Sequence, residues 1–94
     1  MDITPIKLNV ARKMRNRAYR LRFTEARLRD TIAATLRAER ERLGMTQALV
    51  AQRARMKPSA VARLEASNRS PTIPTLVRWC DALGVRLEVT LKGS

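Results

Sequence analysis

Lys57, Ser59 and Arg63 lie within the segment TQALVAQRARMKPSAVARL (residues 46–64) and place an ammonium, a hydroxyl and a guanidinium along one short stretch of chain. On a helix, Ser59 and Arg63 share a face because they are four residues apart, and Lys57 stands at its start. The intervening Ala60 and Ala62 are short, so such a helix is narrow enough to enter the major groove of a duplex. There Arg63 can make a bidentate pair with guanine, whereas Ser59, both donor and acceptor, discriminates weakly. Gln47, at the start of the preceding helical segment, adds its amide to unpaired backbone N–H groups, which together form a natural cradle for a phosphate.

Other chemistries lack their residues. There is no His, Cys80 is the only thiol, and the eight carboxylates show no catalytic spacing. A zinc site, a disulfide framework and an enzymatic centre are therefore not expected, and no cofactor is implied. Lys and Arg number 20, giving a formal charge of +12, which points to a polyanion. Double-stranded DNA is the expected partner. With aromatics at 3% there are few platforms for single-stranded RNA, and the interleaved arginines oppose deep lipid insertion. No apolar run is long enough to span a membrane and the N-terminus lacks the apolar core of a secretory signal, so a cytoplasmic location is expected.

The elements that must hold these groups can be read from spacing and punctuation. The chain has 94 residues, of which 45% are apolar, the size and composition of one domain. Thr46 is placed to cap a helix over Gln47–Ala54, and Pro58 suits the first turn of a second helix over Pro58–Ala66. Val50, Ala51 and Ala54 face inward from the first, Val61 and Leu64 from the second, with Met56 at the corner. Upstream, Met14, Ala18, Leu21, Leu28, Ile32, Leu36 and Leu43 form one helical stripe, ended by Gly44. Thr24 could cap a break within it, so one bent helix and a basic arm followed by a shorter helix are both open. Downstream, residues 67–72 read as a loop, and Ile73–Leu83 as a helix with Trp79 and Cys80 on its packed side. The tail Val85–Lys92 alternates strictly, as a strand does, and Ile6, Leu8 and Val10 suggest a shorter strand held at an edge by Pro5. A lone strand must pair, either with the Ile6–Val10 segment, with a second copy or with another protein; dimerisation is the economical expectation. Three parts follow: a basic arm or helix extension over 1–23, a DNA-binding domain over 24–85, and a terminal strand and tail over 86–94.

Thr46-Gln47, Val50-Ala51, the corner, Val61, Leu64-Glu65, Arg69, Pro71, Thr75-Leu76 and Ala82-Leu83-Gly84 resemble the XRE family, the helix-turn-helix domains of phage lambda-type repressors and Cro. The resemblance covers about residues 32–85. It implies a mainly α, lambda-repressor-like helix-turn-helix bundle with a C-terminal β-strand, to which a short N-terminal strand is added here. It implies phosphate contacts from Thr46, Gln47, Asn68 and Arg69, base contacts from Lys57, Ser59 and Arg63, and a buried ion pair between Arg40 and Glu65. Two positions depart from the family's pattern. Arg55 occupies the corner usually held by Gly, which would cost on the order of 1 kcal/mol in left-handed geometry. Lys57 replaces the usual Ser or Thr cap, a loss partly offset by Pro58.

The order of a long N-terminal helix, the motif and a terminal LGVRLEVTL strand is similar to HigA-type antitoxins. That likeness implies a homodimer on an inverted-repeat operator, autorepression, and a RelE/HigB-like toxin as partner, in a bacterial or phage-encoded setting. The alternative is a stand-alone or phage-type XRE regulator, which the charge favours, since such toxins are basic and would be repelled. Arg12, Lys13, Arg15 and Arg17 form either an accessory arm on DNA or the solvated side of a helix. Leu49, where the family is usually polar, is either exposed or in contact with the N-terminal segment.

Overall fold

A computed structural model describes residues 17–93 in full and residues 2–10 as backbone. In chain order the elements are β1 (Asp2–Val10), α1 (Arg17–Arg42), α2 (Gln47–Ala54), α3 (Pro58–Glu65), α4 (Ile73–Ala82) and β2 (Val85–Gly93). The fold is mainly helical, as expected. Local chemistry marks the helix ends. The hydroxyl oxygens of Thr46 and Thr72 accept from the backbone N–H of Leu49 and Thr75, capping α2 and α4. Gly44 closes α1 and Gly84 follows α4, both at positive φ.

α2, α3 and α4 surround a core of Val50, Ala51, Ala54, Val61, Leu64, Leu76, Trp79 and Cys80, with Leu36 of α1 on one side and Val85 of β2 on another. Trp79 is wholly buried, and Leu49 is half-buried against this core. The stripe on α1 is only partly used. Ala33 and Leu36 are its buried residues, Leu28 and Ile32 are half-covered, and Ala18, Leu21 and Leu43 are exposed. Length explains this. Twenty-six residues of helix span roughly 39 Å, whereas α2 and α3, of eight residues each, span roughly 12 Å. The N-terminal half of α1 therefore extends beyond the bundle, and Thr24 lies within an uninterrupted helix.

The tail strand finds its partner within the chain. β1 pairs with β2 in parallel, from Asp2 opposite Val85 to Val10 opposite Gly93, and starts well before Ile6. Parallel strands need a long crossover; here α1–α4 supply it. Val85 anchors the sheet in the core, but exposure rises outward along β2 to 50% at Val89 and 72% at Leu91.

Candidate nucleic-acid interface

The corner between α2 and α3 determines how α3 is presented. Arg55 adopts φ 55°, ψ 50°, the left-handed geometry for which glycine is usual. The N–H of Met56 then reaches the carbonyl of Ala51 at 2.8 Å and that of Arg55 reaches Gln52 at 3.4 Å, the double closure typical of a left-handed helix end. Met56 packs on the core beside it. Lys57 follows as the N-cap of α3 without a side-chain capping hydrogen bond, and Pro58 begins the helix.

From this start α3 buries Val61, Leu64 and Glu65 and leaves Lys57, Ser59, Ala62 and Arg63 in solvent. The three side chains expected to reach base edges are thus all exposed, Lys57 at the N-cap and Ser59 and Arg63 four residues apart on the helix. Glu65 is held from below by Arg40, whose Nε and Nη2 donate to its two carboxylate oxygens at 2.7 and 2.9 Å. A third guanidinium N–H donates to the carbonyl of Met45 at 2.7 Å. Gln47 joins the cluster, its amide nitrogen donating to Glu65 Oε1 at 3.1 Å. One amide N–H of Gln47 is therefore committed inward and the residue is half-buried, which pins it at the mouth of α2 beside the exposed Thr46.

At the far end of α3, Ser67 takes φ 60°, and the N–H of Asn68 reaches the carbonyl of Arg63 at 3.0 Å. The Ser67 hydroxyl donates to the Asp30 carboxylate, tying this turn to α1. Asn68 and Arg69 emerge exposed just beyond. A shallow cleft opens between α3 and the start of α4, lined by Arg55, Lys57 and Arg69 and also by Arg78. Sequence reading passed over Arg55 and Arg78 as ligand contacts. The signal available was a count: residues 46–80 hold six cations, Arg53, Arg55, Lys57, Arg63, Arg69 and Arg78, against a single acid, Glu65. That acid is buried and paired, so the surface of the segment has no carboxylate to neutralise its cations.

A model of the helix-turn-helix family matches residues 36–89, more than half of the chain. The chain belongs to this family. As a helix-turn-helix protein it is a DNA-binding transcriptional regulator of the XRE type, from a family that is generally non-enzymatic. Neither the comparison with curated proteins nor that with solved structures returned a match. The family match takes in the C-terminal turns of α1, all of α2–α4 and the first part of β2. β1 and the projecting half of α1 of this helix-turn-helix protein lie outside the matched residues.

Arg17 is exposed at the start of α1, whereas Arg12, Lys13 and Arg15 lie outside the described residues. Among the described residues, no helix is long and apolar enough to cross a membrane, and no cluster of Cys, Asp and Glu could hold a metal.

Proposed function

We propose that the protein is a sequence-specific transcriptional repressor that inserts α3 into the major groove, with Arg63 as its principal base reader and Lys57 and Ser59 as auxiliary contacts. The observation that carries this reading is the exposure of Lys57, Ser59 and Arg63 along α3, in a segment without exposed carboxylates between residues 46 and 80. Thr46 and Gln47 at the start of α2, the latter reaching Glu65 at the end of α3, and the exposed Asn68 and Arg69 just past α3 supply the contacts to the phosphate backbones that border the groove. A homodimer places two such helices in successive major grooves of an inverted repeat.

The biological setting we favour is a type II toxin-antitoxin operon, in which this chain is antitoxin and autorepressor and its outer segments hold a RelE/HigB-like toxin. The projecting half of α1, and β2 with its exposed Val89 and Leu91, are surface in excess of what DNA binding requires. The net charge of +12 favours a second reading, a stand-alone or phage-type regulator, because it would repel a basic toxin. The neighbouring gene separates the two: a short reading frame for a basic protein beside this one carries the first, and its absence the second.

The decisive experiment is a binding titration of the protein and of Arg63→Ala against its own promoter region and a scrambled duplex. The substitution is expected to narrow the preference for the promoter by about 1–3 kcal/mol. An unchanged preference removes the base-reading role of α3.

A further inference from the structure

The cleft between α3 and α4 is more cationic than a structural surface needs to be. Four cations, Arg55, Lys57, Arg69 and Arg78, line it from three parts of the chain, and no acid is among its lining residues. None of the four takes part in an ion pair among the described residues, whereas Arg37, Arg40 and Arg42 of α1 are all bonded to carboxylates. Like charges left facing one another are unfavourable, and an anion between them relieves that repulsion. Two helix starts open on the same cleft: Lys57 is the N-cap of α3, and Thr72, with Thr75 behind it, caps α4. Neither helix has an acidic residue in its first turn, so both dipoles present their positive ends uncompensated.

We infer that this cleft is a phosphate-binding site that grips the DNA backbone beside the groove entered by α3, with Arg55 and Arg78 as its previously unassigned positioning residues. The inference rests on the proposed reading of α3 and deepens it. Phosphodiester and free phosphate share the chemistry the cleft recognises. The duplex backbone is favoured because Lys57 belongs both to the cleft and to the base-reading side chains, which puts an anion in the cleft next to DNA held by Ser59 and Arg63. The site also accounts for Arg55. A cation at a left-handed corner, where glycine would fit without strain, is retained if its charge is used.

The test is the salt dependence of binding for Arg55→Gln, Arg78→Gln and Arg78→Lys, on promoter and scrambled duplexes, with thermal unfolding recorded to confirm that each variant is folded. Each glutamine variant is expected to weaken both duplexes alike, to keep the ratio between them, and to make the plot of log affinity against log salt shallower by about one unit. Arg78→Lys should retain most of the wild-type slope. Unchanged slope and affinity in both glutamine variants, while Arg63→Ala still narrows the promoter preference, would overturn the cleft and leave the function of α3 standing. If Arg63→Ala also changes nothing, both readings fall. A titration with inorganic phosphate, matched in ionic strength by chloride, separates the two sources. Saturable phosphate binding that depends on Arg78, with no change in DNA slope, assigns the cleft to a free anion and overturns the backbone assignment.

Discussion

Arg40 of α1 and Glu65 of α3 meet in a bidentate ion pair at 2.7 and 2.9 Å, with side-chain exposures of 12% and 2%. The pair joins the long helix α1 to the end of α3, and Gln47 and the carbonyl of Met45 complete its hydrogen bonds. Hydrogen bonding to Glu65 pushes the Arg40 guanidinium above its already high ordinary value, against the effect of burial. A cation whose folded value is raised contributes stability below its unfolded value and loses it only above, so Arg40 stays charged throughout the usable pH range. Replacing either partner alone, by Arg40→Met or Glu65→Leu, should cost about 3–5 kcal/mol in denaturant unfolding, because the other charge is left buried and unpaired. The double variant should recover much of that loss. Equal, additive costs in the two single variants and the double would mean that the two groups act independently.

The left-handed corner at Arg55 sets stability against binding. Arg55→Gly removes the steric penalty of positive φ but adds freedom to the unfolded chain, so a net gain of up to about 1 kcal/mol is expected. The same variant loses a cation from the α3–α4 cleft and should bind DNA more weakly. Calorimetric melting and a binding titration on one sample check both signs; a gain in stability without loss of affinity would separate the corner from the interface.

Cys80 is buried in the core, at 2% exposure, and burial pushes its thiol above its ordinary value. The thiol should react with Ellman's reagent at pH 8 only at the rate of opening or unfolding. A raised thiol also has a sign for stability. Below the unfolded value the proton is bound in both states and nothing changes; above it the unfolded chain ionises first, so stability falls with rising pH. A Cys80→Ala variant should lose part of that alkaline dependence.

Trp79 is fully buried between α4 and the rest of the bundle, and its indole N–H has no hydrogen-bond partner among the described residues. Its emission should be short in wavelength in the native protein, shift to the red on unfolding, and stay constant when DNA is added. Quenching by DNA would show that the indole stacks on bases instead. Trp79→Ala should cost about 3–5 kcal/mol, and Trp79→Phe clearly less, since no hydrogen bond is lost.

Much of the helical core and of the exposed side of α3 was legible in the linear order of residues, because their causes are local. Thr46 and Pro58 mark helix starts by side-chain and backbone chemistry within one turn, and the spacing of Val50, Ala51, Ala54, Val61 and Leu64 repeats with the helix. The exposure of Lys57, Ser59 and Arg63 follows from the same periodicity once the inward face is known. The Arg40–Glu65 pair, by contrast, was implied by family resemblance, since twenty-five positions of separation carry no local signal.

Sequence alone determined the helix-turn-helix character of this protein, its charge and which side chains of α3 stand in solvent. Tertiary structure decided how far the apolar stripe of α1 is buried, which strand receives β2, and that Arg55 and Arg78 share a cleft with Lys57 and Arg69. The physical reason is range. Capping and periodicity act over a few residues, whereas the reach of a 26-residue helix past its shorter neighbours, the closure of a parallel ladder, and the convergence of cations from three segments depend on where distant parts of the chain are brought together.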